Sequence, residues 1–212
     1  MIDVKPYPIT QEQLQELGGG LQRLPGSFDD FLEVVSNAEL RIDFVDDELV
    51  FMSYATDEHE MLVAQLLLLI GQLQLTGKSI TARGSNHRIH VEGQPKSFAP
   101  DLFFVKGTAK HFRPEGKYQV SMVTNPWLVV EVLSPGTKDY DLGTKLPAYQ
   151  SIPSAEFILY AQQEEPKLTL YQRLTDNLWS SRDFDLTSPP IAFGGVEFSV
   201  ESVYRVLGEI DE

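Results

Sequence analysis

The 212-residue sequence predicts an α/β (α+β) fold, a mixed central β-sheet flanked by helices. Three observations carry this expectation. The segment MLVAQLLLLIGQLQL (Met61–Leu75) reads as a core helix, too short and too interrupted by glutamine to span a bilayer. Runs such as SFAPDLFFV and PWLVVEVL, rich in β-branched and aromatic residues, read as strands. The order helix, strands, helix, strands is not a βαβ alternation, and no Gly-rich loop joins a strand to a helix, so a nucleotide-binding array gains no support.

In chain order, residues 1–30 are expected as a loosely attached lead-in, Gly-rich at LGGGLQRLPGSFDD, and 31–212 as a single domain. A short helix is expected near Asp30–Ser36. Asp46–Tyr54 has a turn-like acidic start and a strand-like body. Asp57 is placed to cap the long helix, with Glu60 as its capping-box partner and Gly77 as its stop. KSITAR and HRIHVE look like strands joined by a Gly-Ser-Asn turn. SFAPDLFFV follows, with Asp101 opening its strand directly after Pro100. Beyond the loop Lys106–Lys117 come the strand WLVVEVL, a helical DLGTKLPAYQSI and a hairpin in AEFILYAQQEEPKLTLYQR. A strand near Trp179, a Pro-Pro break and an amphipathic VESVYRVL complete the order.

Net charge is −14, from 17 basic and 31 acidic residues. General coating of nucleic acid relies on Lys and Arg to neutralise phosphates, so a nucleic-acid role here needs a local basic patch or a metal ion. The chain has no cysteine, which removes disulfides and thiolate zinc sites and suits a cytoplasmic location. Its start lacks the basic and apolar pattern of a signal peptide.

One residue breaks the strand pattern. In WLVVEVL, Leu128, Val130 and Val132 point one way and Val129, Glu131 and Leu133 the other, so Glu131 falls on an apolar face. A buried carboxylate needs a proton, a partner or a cation. Asp101 at a neighbouring strand start would give two hard oxygen donors for Mg²⁺ or Mn²⁺. Lys145, with Asp141 one turn earlier, would orient or activate a water and stabilise phosphoryl charge. Acid, acid and lysine make a minimal kit for metal-dependent phosphodiester hydrolysis. Plainer roles stand beside it: a turn or cap residue for Asp101, an edge strand or a structural salt bridge with Lys145 for Glu131, and a surface i,i+4 pair for Asp141 with Lys145. His59, beside Glu58 in the first helical turn, is a further ligand or base, or a solvated helix start. His87 and His90 face opposite sides of a strand. His111 lies among Lys106, Lys110, Arg113 and Lys117, a phosphate-binding patch or an ordinary surface loop.

The ordered set DDELVFMS, DEHEMLVAQLLLLI, APDLFFV, PWLVVEVLSPGTKDYDLGTKLPAYQ and AEFILY resembles the bacterial putative restriction endonuclease family. That family is a domain of unknown function within the PD-(D/E)xK nuclease superfamily, and the resemblance runs from about Leu40 to Arg173. It implies a restriction-endonuclease-like core and an Mg²⁺-dependent endonuclease acting on nucleic acid, DNA foremost, with a homodimer as a further implication. Asp101 matches the motif aspartate and Glu131 the motif glutamate, with the Val132 carbonyl as a third metal ligand. The wider superfamily's lysine position is Leu133 here, and the family's relocated lysine corresponds to Lys145. Asp141 would steady Lys145, and Glu58 and His59 would stand near the metal. Two departures are Pro147, expected to kink or restart the helix, and Ala161, where relatives often have aspartate. The alternative from another class is a non-catalytic acidic protein-interaction module on the same fold.

Overall fold

The computed structural model describes residues 7–76, 79–115, 118 and 120–208. Its first half contains α1 (Gln11–Glu16), β1 (Leu21–Pro25), α2 (Phe28–Val35), β2 (Arg41–Val45), β3 (Glu48–Met52), α3 (Asp57–Gly71), β4 (Ile80–Gly84), β5 (Arg88–His90), β6 (Lys96–Phe98) and β7 (Leu102–Lys106). After β8 (His111–Phe112) and β9 (Met122–Val123) come β10 (Leu128–Leu133), α4 (Lys138–Tyr140), α5 (Leu146–Ser151), β11 (Phe157–Gln162), β12 (Leu168–Thr175) and β13 (Leu178–Phe184). The hairpin β14 (Ile191–Phe193) and β15 (Val196–Phe198) precedes α6 (Val200–Tyr204).

Two large sheets form where one was expected. The first runs β1-β3-β2-β6-β5-β9-β8 and the second β13-β12-β11-β10-β7-β4. The second is mixed: β10 and β11 are parallel, which a crossover through α4 and α5 allows, and its other pairs are antiparallel.

Strand periodicity builds the layers. Leu128, Val130 and Val132 of β10 pack with Leu102 and Phe104 of β7 against Leu62, Leu66 and Ile70 of α3. On the opposite face, Val129 and Leu133 pack with Phe103 and Val105 against Val45, Val50, Ile89 and Phe98 of the first sheet. The far face of the first sheet holds Ile42, Phe44 and Phe51 under Leu14 of α1 and Phe31 and Leu32 of α2. β10 is therefore covered on both faces, as its unbroken apolar run predicts.

Several expectations change in detail. Residues 7–30 are packed in place: Leu14 is buried and β1 pairs with β3 throughout its length. The cap of α3 is Thr56, not Asp57, and its hydroxyl accepts from the His59 N–H. The helix ends at Gly71 and tightens into a 3₁₀ turn over Gln72–Thr76, while Gly77 lies outside the described residues. β4 and β5 belong to different sheets, so the Gly-Ser-Asn link between them is a crossover. The sequence SFAPDLFFV likewise divides, with β6 in the first sheet and β7 in the second. Among the described residues no helix is long and apolar enough to cross a membrane.

Candidate active site

Asp101 sits where the chain passes from β6 to β7, between the sheets. A buried crossing must satisfy its backbone groups without a ladder. Side chains do this here: Asp43 Oδ1 accepts from the Ala99 N–H at 2.8 Å, and Arg41 Nε donates to the Ala99 carbonyl at 2.8 Å. Pro100 has no N–H to satisfy. Glu131 Oε2 accepts from the Asp101 N–H at 3.1 Å, and Asp101 Oδ2 accepts from the Val132 N–H at 2.7 Å. The two acids are thus clasped through each other's backbone neighbourhood.

The cations follow. Arg41 Nη2 lies 2.7 Å from Asp101 Oδ1 and 4.0 Å from Glu131 Oε2. Lys145 Nζ lies 2.9 Å from Asp141 Oδ1, 3.1 Å from Glu131 Oε1 and 3.8 Å from Asp43 Oδ2. Tyr149 donates to Glu131 Oε1 at 2.7 Å, and Tyr140 to Asp43 Oδ2 at 3.0 Å. Asp43, Asp101, Glu131, Asp141 and Lys145 are all buried.

Local helix geometry delivers the lysine. Asp141–Lys145 is a π-helical turn in which the Leu146 N–H bonds the Asp141 carbonyl, and the Tyr160 hydroxyl donates to that same carbonyl at 3.1 Å. Pro147 then falls in the first turn of α5, where a missing N–H costs no hydrogen bond. The expected restart at the proline does not occur: the helical backbone runs from Lys138 through Leu146 into α5, and Lys145 still reaches Glu131. Leu133 is buried in the core between the sheets, and the amine of Lys145 serves the site from the helix.

His59 reaches the site from α3, its Nε2 3.3 Å from Asp101 Oδ2. Its buried Nδ1 makes no hydrogen bond and lies 3.6 Å from Glu60 Oε1. Glu58, one residue earlier, is exposed and lines no part of the cleft. Lys106, Lys110 and Arg113 are exposed and likewise outside the cleft wall. Lys106 pairs with Glu156, and at about 3.4 Å per residue the length of β7 separates it from Asp101 by about 17 Å. Lys117 lies outside the described residues.

Electrostatics divide the two acids. Burial pushes the Asp101 carboxyl upward, but Arg41, His59 and the Val132 N–H together hold it well below the usual carboxylate range. At Glu131 burial prevails: Lys145 pulls down, Asp101 and Asp141 push up, and the group stands raised to about 7. Burial works against the charged Lys145, yet Asp141, Glu131 and Asp43 raise its pKa, so it remains an ammonium. His59 is raised as well, its burial outweighed by Asp101.

Arg41, Asp43, Tyr140 and Tyr149 belong to the site and were not picked out from the sequence. A signal existed for two of them: in LRIDFV, Arg41 and Asp43 alternate with apolar residues on one strand face, the same anomaly as Glu131.

The acids and cations open onto a cleft of about 510 Å³ lined by Arg41, His59, Arg88, Asp101, Glu131 and Lys145 among others, with Asp43, Tyr140 and Tyr149 buried behind it. A family profile described as "Putative restriction endonuclease" (Uma2) matches residues 28–201. The chain belongs to the Uma2 family. The uncharacterized protein slr1290 of Synechocystis sp. (strain ATCC 27184 / PCC 6803 / Kazusa) is 24% identical over 180 residues, covering 84% of this chain and 91% of its own. A second protein of that organism, sll1609, is 25% identical over 150 residues, or 71% and 82% of the two chains. A crystal structure described as a putative nuclease belonging to DUF820, from Anabaena variabilis ATCC 29413, superposes with a TM-score of 0.64 at 13% identity. It covers 94% of this chain and 99% of its own. This Uma2 chain therefore has the restriction-endonuclease-like α+β fold, with a nuclease-like character at the level of the family.

Proposed function

We propose that the cleft is the active site of a divalent-metal-dependent endonuclease that hydrolyses phosphodiester bonds, with DNA as the substrate. The observation that carries this reading is the shared cation position: Arg41 Nη2 stands against both Asp101 Oδ1 and Glu131 Oε2, beside a buried, charged Lys145.

The residues fit a hard cation in donor chemistry. Asp101 and Glu131 offer carboxylate oxygens at one point, and a guanidinium nitrogen already stands in for a cation there. Among the described residues no group of three His, Asp or Glu side chains forms a ready cage, so Mg²⁺ or Mn²⁺ would rest on Asp101, Glu131 and the Val132 carbonyl with waters completing the shell. Bound there, the ion supplies Lewis-acid charge at the phosphoryl group. Lys145, held as an ammonium by three carboxylates, orients a water and stabilises negative charge on a phosphoryl oxygen; it does not act as the base. Asp141 fixes Lys145, and His59 takes or gives a proton at the cleft wall. Lys110 and Arg113 would add phosphate contacts outside the cleft.

A second reading, a non-catalytic protein-interaction module, draws on the Arg41–Asp101 pair at 2.7 Å, which would then be a permanent counter-ion. Calorimetry with Mn²⁺ separates the two. The nuclease reading expects binding by the native protein that Glu131→Gln abolishes, and cleavage of single- or double-stranded DNA with Mn²⁺ that Asp101→Ala abolishes. Equal, negligible Mn²⁺ binding by both proteins would support the interaction module.

A further inference from the structure

Arg88 is the basic residue of the cleft that this chemistry leaves unused. It opens β5 and lines the same cleft as Asp101 and Glu131, next to Ser85 and Asn86 of the β4–β5 crossover. Arg41 and Lys145 each have carboxylates at ion-pair distance. Arg88 has none among the described residues. Its Nη1 donates to the Ile42 carbonyl, and its guanidinium lies over the Phe31 ring, 5.3 Å from the centroid. Burial pulls its pKa down to about 10, Asp43 offsets this only in part, and Arg41 adds to it. The group is still charged at neutral pH.

A part-buried charge with no carboxylate at ion-pair distance is costly. One carbonyl and one ring face satisfy little of a guanidinium that carries five N–H donors in a planar fork. The fork matches two oxygens of a phosphate, and such pairs are among the stronger hydrogen-bonded contacts in proteins. The Ile42 carbonyl and the Phe31 ring hold the fork in place before any ligand arrives.

We propose that Arg88 is a phosphate-binding subsite of the cleft, receiving a phosphodiester group adjacent to the one presented to Asp101 and Glu131. This rests on the nucleic-acid reading of the cleft. It also shows how a chain of net charge −14 engages a polyanion: through arginine enclosed in a cleft, with no basic outer surface required.

The test uses the full chain with two probes. The first is a fluorescein-labelled DNA duplex followed by anisotropy in Ca²⁺ between 50 and 200 mM KCl. Arg88→Gln is expected to weaken binding about tenfold and to lower the slope of log affinity against log salt by about 1, while Arg88→Lys keeps the slope. The second probe is inorganic phosphate in EDTA, read as the rise in melting temperature of the native protein and its absence in Arg88→Gln. DNA binding with unchanged affinity and slope in Arg88→Gln overturns the subsite and leaves the nucleic-acid reading standing. A phosphate effect that depends on Arg88, with no DNA binding by the native protein, upholds the subsite and removes the nucleic-acid reading. A purely structural arginine predicts that Arg88→Gln and Arg88→Lys both melt lower in phosphate-free buffer with no change in salt slope, and that result also overturns the proposal.

Discussion

Lys145 meets Asp141 in the cleft wall at 2.9 Å, and Lys167 meets Asp183 on the β12–β13 arm at the same 2.9 Å. The resemblance ends there. The side chains of the first pair are 2% and 4% exposed, whereas those of the second are 34% and 58% exposed. The cleft pair is one edge of a network through Glu131, Asp43, Tyr140 and Tyr149; the arm pair adds a single bond from Thr169 to Asp183. Distance does not set what an ion pair is worth. Exposure does, because solvent screens the arm charges and is largely kept from the buried side chains of the cleft pair.

The comparison breaks most visibly at Lys145. Replacing it by Met leaves Glu131, Asp141 and Asp43 buried with one cation fewer, and removing one partner of a buried ionic network costs about 3–5 kcal/mol. Urea unfolding at neutral pH measures this directly. A loss comparable to that of an exposed lysine would mean that water reaches the cleft charges and that their burial is not the controlling quantity.

A smaller effect sharpens the same contrast through pH. Glu131 is raised from an ordinary value near 4.5 to about 7, so the folded chain holds a proton there that the unfolded chain has released. Stability should therefore fall as pH rises from about 4.5 to 7, by at most about 1.4 kcal/mol per pH unit from this group. His59, also raised, has the same sign: its contribution is complete below its ordinary value of 6.5 and is lost as pH climbs through the folded value. Asp101, lowered, has the opposite sign and matters only below its ordinary range, where its contribution is lost as pH falls. In EDTA, Glu131→Gln should flatten the window from 4.5 to 7. An unchanged slope would assign the pH dependence to other groups.

The sequence made the buried half of this contrast partly legible. Alternation in WLVVEVL marks Glu131 as a charge on an apolar face, and the structure puts it there. The same alternation in LRIDFV announces Arg41 and Asp43, but reading it requires knowing that β2 is covered on both faces, which only the second sheet reveals. The π turn over Asp141–Lys145 has no local signature beyond the proline that follows, and the Tyr160 hydroxyl that bonds its Asp141 carbonyl arrives from distant β11. Pairing across sheets was likewise hidden: β4 and β5 form within KSITAR and HRIHVE, yet nothing in the turn chemistry of the three residues between them, Ser85, Asn86 and His87, tells a hairpin from a crossover. Residue type and period are local quantities, and sheet membership is not.

The smallest expected effect is the sharpest test of the comparison. Lys167→Ala removes the arm pair, and Asp183 keeps its hydrogen bond from Thr169 at 2.8 Å with open access to water. Lys167 and Thr169 hold the Asp183 carboxyl below its ordinary value, so the pair's contribution is present above that range and disappears as pH falls through it. At physiological salt, screening acts over roughly 8 Å and leaves an exposed pair little net attraction. The urea midpoint of Lys167→Ala should match the native protein's within error at neutral pH, and whatever small difference appears at low salt should vanish on adding salt. Lys145→Met should show the reverse, a large loss that monovalent salt leaves nearly unchanged, because buried pairs are screened far less than exposed ones. If both variants lose the same stability with the same salt dependence, then the shared 2.9 Å contact decides and burial does not, and the assignment of the cleft charges to chemistry loses its physical basis.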